Sequence, residues 1–484
     1  MSYPRHSHLH AALRLGGAAL ESMRRSIGFG LLFAPALLAA CGEGGSNDNT
    51  GGGGAASSST MGSGGAGGSS SSSSSTSSGG GGPAPDWATE LPAGGGWTEL
   101  PGSEPFAEWA AENLMPKSGY VGSAPIGAVR DAYCNPVFDH AGKAFYLFGG
   151  GHSDGSINAV FKLDAATLKY SIVVPPTPPS AYPPAYTAPN SPIVYPSGAT
   201  NGFFQTTATL TDPADLPYAA PFAAPQASHT YSALSFVDGK LILHYGPVRE
   251  ADVVSGTWTY LDKDTYGPQL VKFNPNYHEL VLQSGTRTAN DPATGKAWTT
   301  LVPGDAGLNW RNCVLEIEPT THKIENVVSA KWEVLGDSSI VVGGPYVYIF
   351  TPTKSGGTAT TTRGWRMDKT TRAVEHVTLT GDLPSWPEFS PKQEGIPVFY
   401  DGAKLNFWNY SVDADRDAFF RVDLEPKSGA GTEEDPYVLS STREARAPSG
   451  MPAPALTYDL TYISEWGVVL FLPQASSKLW AIKL

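Results

Sequence analysis

The sequence predicts an all-β chain of repeated four-stranded units, and three observations carry that expectation. An apolar strand, a glycine cluster and a further strand with an acidic close run from Ala144 to Gly155 and on through Ala159 to Tyr170, and weaker copies recur at Leu241–Gly246, Glu279–Gly285, Tyr346–Phe350, Lys404–Tyr410 and Val468–Leu472. Most copies follow another short apolar run across a tight turn, Asp238-Gly239 and Asp401-Gly402 among them, and Asp-Gly between two β-rich runs is a strong hairpin signal. A third strand closing on an acid comes after most copies, at Leu163-Asp164, at Arg366 to Asp368 and at Arg421 to Leu424. Short strands in hairpins, a period of tens of residues and abundant glycine, proline and aromatics describe the blades of a single β-propeller. Six blades are expected, or seven if the insertion described below conceals one.

The repeated phrase resembles the kelch repeat, the unit of galactose-oxidase-like propellers. Gln226 to Gly246 is the fullest match to a kelch hairpin, and Arg130-Asp131 with Phe145 to Gly150 supply the same pattern in the first unit. The resemblance spans about residues 95 to 484 and implies the fold; kelch-like propellers include enzymes, glycan binders and scaffolds, so activity has to be argued from a site.

Taken in chain order, residues 1–41 read as a bacterial lipoprotein signal region: Arg24-Arg25, the apolar stretch Ile27 to Leu38, then Leu38-Ala39-Ala40-Cys41 with Cys41 as the lipidated residue. The apolar run is too short to span a bilayer. Gly42 after the cysteine is compatible with delivery to the outer membrane of a Gram-negative bacterium. Residues 42–85 are nearly all Gly, Ser, Thr, Ala and Asn, a composition that buries no core and behaves as a flexible coil with a reach on the order of 35 Å. The propeller is expected over 86–484, interrupted by a Pro- and Tyr-rich insertion at 171–225 read as a partial wall over the ligand face. The chain ends on Leu479 to Leu484, a third strand with no fourth, while Trp97 to Leu100 stands alone ahead of the first unit. That N-terminal strand is expected to close the ring as the outer strand of the last blade, removing an exposed edge.

Charge and cysteines bound the partners. With 32 Lys and Arg against 45 Asp and Glu the net charge is −13, which gives a nucleic-acid role no electrostatic support. Besides Cys41, Cys134 and Cys313 fall in separate units and read as buried free thiols rather than a disulfide. The partners expected are the lipid bilayer, through the anchor, and a polysaccharide or envelope protein.

In a propeller the start of each first strand and the loop after each second strand share one face. Arg130, Asp131, His229 and Tyr231 sit at first-strand starts; His152, Ser153 and Asp154, and His244, Tyr245 and Arg249, follow second strands. The first two units thus aim histidines, tyrosines and arginines at one rim, which suits a carbohydrate or envelope ligand. Arg130, Asp154, His244 and Tyr245 are the candidate ligand contacts. The alternative is a polysaccharide lyase, resembling propeller lyases that use histidine and tyrosine for β-elimination: His152 or His229 as base, Tyr231 or Tyr245 as acid, and Arg249 or Arg130 neutralising the uronate carboxylate. Bland readings compete, since His229 occupies a usual kelch loop position and His244 lies within a strand. Trp258, Trp310, Trp365, Trp386 and Trp408 could stack on sugars or pack between blades. No cofactor is expected. A copper oxidase is disfavoured because Tyr277-His278 falls in a turn on the opposite face and Cys134 has no evident tyrosine partner. A metal hydrolase using His152, His229 and His244 has no ligand spacing to support it.

Overall fold

The computed structural model describes residues 83–114, 128–131, 134–149, 159–176, 230, 233–244, 249–261, 287–301, 313–329, 338–355, 358–383, 397–408, 417–452 and 460–484. The expected signal region with Cys41, and nearly all of the expected linker, lie outside these residues.

The described chain begins with helix α1 (Asp86–Glu90), strand β1 (Thr98–Glu99), helix α2 (Phe106–Asn113) and the single turn α3 (Ala128–Asp131). It then forms antiparallel meanders in a propeller-like arrangement. The first is β2 (Val137–Asp139), β3 (Ala144–Leu147), β4 (Val160–Asp164) and β5 (Lys169–Val174); the second is β6 (Leu234–Val237), β7 (Lys240–Leu243), β8 (Arg249–Asp252) and β9 (Thr257–Tyr260). The third is β10 (Thr288–Asn290), β11 (Ala297–Leu301), β12 (Cys313–Ile317) and β13 (Ile324–Ser329). An eight-stranded sheet follows, made of β14 (Ser339–Gly343), β15 (Tyr346–Ser355), β16 (Thr358–Asp368), β17 (Val374–Gly381), β18 (Val398–Tyr400), β19 (Leu405–Trp408), β20 (Phe419–Val422) and β21 (Tyr437–Glu444). It is two meanders whose outer strands, β17 and β21, pair in parallel from Val377↔Tyr437 to Gly381↔Ser441. Gly381 is required at that seam: its φ is +99°, and a Cβ there would lie 2.2 Å from the Ser441 carbonyl oxygen. The last sheet is β22 (Leu460–Ile463), β23 (Val468–Phe471) and β24 (Trp480–Lys483), with β1 added antiparallel on the outer edge through Thr98↔Ala481 and Glu99↔Trp480.

That last pairing is the N-terminal closure the sequence suggests. Trp97, just before β1, is buried against Trp408, Phe419 and Phe471 with ring centroids 5.3–5.9 Å apart. After β1, α2 turns Phe106 and Ala110 inward, one helical turn apart, and Phe106 meets Phe161 and Tyr170 of the first meander edge-on at 5.2 and 5.3 Å. The N-terminal segment therefore spans the seam between the last meander and the first.

Each apolar cluster is shared by consecutive meanders. Tyr146 of β3 stacks on Phe236 of β6 at 4.3 Å, Phe350 of β15 meets Phe407 of β19 at 5.0 Å, and one cluster joins Leu470 and Leu472 to Phe145 and Phe161 across the seam. Charged pairs add to these contacts. Glu316 of β12, fully buried, accepts from Lys296 (2.7 Å), from Asn326 (2.8 Å) and from both Nε and an Nη of Arg372, which reaches over from the β16–β17 turn.

The acidic closes of the third strands have a local explanation. Asp252 Oδ1 accepts the N–H groups of Val254 and Ser255 (2.8 and 3.0 Å), and Asp368 Oδ1 those of Thr370 and Thr371 (2.8 and 2.7 Å), so each carboxylate folds the turn that follows. The Lys240 ammonium, then these N–H groups, hold Asp252 well below the usual carboxylate range.

Three boundaries differ from expectation. In the third meander the second strand is β11, farther along the chain than Glu279–Gly285, which lies outside the described residues. β11 escapes notice because Thr299 and Thr300 fill its core positions, fully buried and bonded to Thr288 and Arg287, where leucine or valine would announce a strand. The insertion cannot begin at Ser171, because β5 pairs with β4 as far as Val174. Arg130 and Asp131 end the short helix α3 instead of opening a first strand, and Cys134 makes an isolated bridge ahead of β2. Cys134 and Cys313 are both buried.

Trp97→Ala should lower the free energy of unfolding by about 3–5 kcal/mol, as for other buried aromatic truncations. Glu316→Gln should cost about 2–3 kcal/mol, less than a fully buried pair because Lys296 and Arg372 keep partial access to water. Denaturant titration checks both, and losses under 1 kcal/mol would mean that neither contact holds neighbouring meanders together.

Candidate functional site

Three of the sequence-predicted site residues lie within the described residues, and all three are buried. Arg130 lies within the single turn α3 and is 0 % exposed; one Nη donates to the carbonyls of Leu472 and Pro473, the latter at 3.3 Å. The guanidinium thus ties the start of the first meander to the end of β23. Arg249 opens β8 opposite Leu243 and Tyr260 and is 1 % exposed. His244 follows β7, where its N–H donates to the Ala233 carbonyl (2.8 Å) and its Nε2 shares a 2.8 Å hydrogen bond with the Ser235 hydroxyl. Burial drives the His244 imidazole down to a pKa of about 3, so in the fold it is neutral at pH values well above 3. His152, Asp154, His229, Tyr231 and Tyr245 lie outside the described residues. Trp408 and Trp365 are buried in the clusters between meanders, Trp258 packs edge-on to Phe148 at 5.1 Å, and Trp310 and Trp386 lie outside the described residues. Among the described residues no group of histidine, cysteine and acidic side chains could hold a metal ion, and no helix is long and apolar enough to cross a membrane.

A second feature was not singled out in the sequence. The first strands of successive meanders lie side by side, β2 by β6, β6 by β10, β10 by β14, β14 by β18 and β18 by β22. Together they line a cavity of about 790 Å³. Its wall runs from Asn135, Arg287 and Ser339, where first strands start, to His140, Lys143 and Glu465, where they turn. That volume falls within the roughly 300–1,000 Å³ of ordinary small-molecule sites.

The wall is aromatic in part and polar in part. Phe399 and Tyr462 stack at 5.8 Å with planes 28° apart, and Phe138 lies on the same wall. Asn290 Nδ2 donates to the Phe138 carbonyl at 3.3 Å, across to a meander that is not its neighbour, while its buried Oδ1 has no hydrogen-bond partner among the described residues. The charged groups are engaged with the protein: Lys143 and Glu465 form an ion pair, and Arg287 Nε donates to the Ser338 carbonyl at 3.1 Å. His140 sits at the turn end, where burial and then the nearby Lys143 ammonium lower its pKa to about 4. What remains for recognition is a set of flat rings, hydroxyls and amides.

These residues are hard to see in sequence because first strands are short, and β10 is only partly buried along its length. Thr288, Ala289 and Asn290 have no apolar alternation, and placing the third unit at Glu279 pushes them out of register with the other first strands.

No protein-family model and no curated protein matches the chain. Among solved structures it is similar to YjhT (13 % identity over 59 % of this chain and 73 % of that one, TM-score 0.33). It is also similar to the Kuenenia stuttgartiensis hydrazine synthase (10 % identity, 77 % and 99 % covered, TM-score 0.33). A third is the calcium-binding protein regucalcin of Agrobacterium tumefaciens (12 % identity, 75 % and 93 % covered, TM-score 0.34). All three scores lie below one half, so the propeller-like architecture rests on the sheets themselves.

The buried histidine sets a pH dependence. An imidazole free in the unfolded chain takes up a proton below about pH 6.5, whereas His244 in the fold does so only near 3, so unfolding binds a proton between those values. Stability from this residue is complete above pH 6.5 and falls by up to about 1.4 kcal/mol per pH unit toward pH 3. His244→Asn should flatten that part of the stability–pH curve, measured by urea unfolding; an unchanged slope would place the proton uptake elsewhere.

Proposed function

We propose that the chain is a lipid-anchored, six-bladed kelch-like propeller of the bacterial envelope that binds carbohydrate or envelope ligands at the His152/His229 face. Cys41 would carry the lipid and the Gly/Ser segment would let the propeller reorient above the membrane, most simply the outer membrane. The observation that carries the binding reading is the cavity along the first strands, with stacked aromatic rings beside neutral hydrogen-bonding groups and a volume suited to a few sugar units. Ring stacking with amide and hydroxyl contacts suits molecules that present apolar C–H faces and a periphery of hydroxyls.

The lyase reading stands second. It needs an arginine presented to a uronate carboxylate, and both described candidates are buried, with Arg130 committed to backbone carbonyls. An arginine so engaged contributes to the fold and is poorly placed to follow charge developing on a substrate.

The two readings separate in one experiment. The purified full chain is offered uronate-containing and neutral polysaccharides while binding and the ultraviolet absorbance of unsaturated product are both followed. Binding without product is expected, weakened about tenfold or more in His152→Ala. Time-dependent absorbance that Tyr231→Phe abolishes would establish the lyase instead, and neither binding nor product would remove carbohydrate from consideration.

A further inference from the structure

Burial alternates along the first strands β14, β18 and β22, and the partly exposed positions line the cavity. Val398 and Tyr400 of β18 are partly exposed on either side of buried Phe399, and Leu460 and Tyr462 of β22 on either side of buried Thr461. Ile340 of β14 is partly exposed between buried Ser339 and Val341. Residues two apart in a strand share a face. All five side chains line the space of about 790 Å³, on three strands that lie side by side. They form an arc of wall that a ligand can reach, and none of them carries a charge.

Polar and charged groups bound this arc. β10, the first strand next to β14, places Thr288 and Asn290 at partly exposed positions, and Arg287 precedes it, 4 % exposed. Lys143 and Glu465, paired with each other, stand at the turns, and the Tyr400 hydroxyl donates to the Gly402 carbonyl at 2.7 Å. The Arg287 charge therefore lies beside the arc and bears on the polar end of a ligand, while Ile340, Val398 and Leu460 bear on its body. Water against branched aliphatic side chains finds no hydrogen-bond partner in them, and an apolar group that displaces it gains free energy in proportion to the area covered. The volume is that of a small-molecule site, and strands on successive sides leave no room for a folded partner to lie along the arc.

We infer that the cavity binds a small amphiphile, with its apolar body against Ile340, Val398 and Leu460 and its polar end directed away from the arc. This goes beyond the carbohydrate reading, since the arc engages the apolar part of a ligand whatever polar group that part carries.

The test offers the purified full chain two series of ligands, butanol to octanol and butanoate to octanoate, each below the concentration at which it forms micelles, with unsubstituted oligosaccharides alongside. Affinity is measured by calorimetry for the unaltered protein, Val398→Thr and Leu460→Asn, with circular dichroism as the check on folding. Affinity should rise about two- to fourfold with each added methylene in both series, the factor that covering one such group converts to. Each substitution should weaken octanol and octanoate by about fivefold or more. If Leu460→Asn fails to fold, Val398→Thr, which keeps the branched shape and exchanges a methyl for a hydroxyl, decides. An affinity that does not change with chain length, a rise confined to the alkanoates, which would credit the cations instead of the arc, or binding unmoved by the substitutions would overturn the inference. Saccharide binding alongside any of those results would leave the carbohydrate reading standing, and its absence would remove that reading as well.

Discussion

Burying both faces of a strand requires a neighbour on each side, and that requirement governs this chain. β3, β19 and β23 are buried at every position. A lone four-stranded meander would leave one of those faces in water, at roughly 25 cal/mol for each Å² of apolar surface exposed. Contacts such as Tyr146 on Phe236 and Phe350 on Phe407 meet the requirement between consecutive meanders. At the end of the chain it is met by the beginning, where β1 completes the last sheet and Trp97 and Phe106 fill the spaces on either side of it.

The same constraint separates what is held rigid from what is left for recognition. Second strands, packed on both sides, have no surface to offer a ligand. First strands line the cavity, and polar side chains such as Asn290, Thr461 and Tyr462 occur on its wall. Buried charges join separate meanders: Glu316 pairs with Arg372, and Arg130 donates to the Leu472 carbonyl.

Legibility in the sequence follows from burial. A strand buried on both faces reads as an unbroken apolar run, so Ala144–Leu147 and Val468–Phe471 identify themselves, as does the Asp238-Gly239 turn, where both residues take positive φ. β11 does not, because two of its buried positions, Thr299 and Thr300, are threonines satisfied by hydrogen bonds rather than by apolar packing. The site was less legible than the fold. Arg130 and His244 look like ligand groups when only their type and loop position are known, yet the carbonyls that take Arg130 lie 342 and 343 residues away, and the depth of His244 depends on the fold around it. The cavity arises from strands scattered over the whole chain, and no local motif announces it.

Cooperativity between meanders is the central physical claim, and hydrogen exchange of the full chain, resolved by peptide, measures it most directly. If the sheets form one closed unit, the amides of β3 and β23 on either side of the N-terminal seam should exchange as slowly as those of β7 and β15, and all four should quicken together in mild denaturant. Exchange at β23 and β24 that runs far ahead of the other sheets would show an open array of independent meanders, with β1 too weakly held to close it.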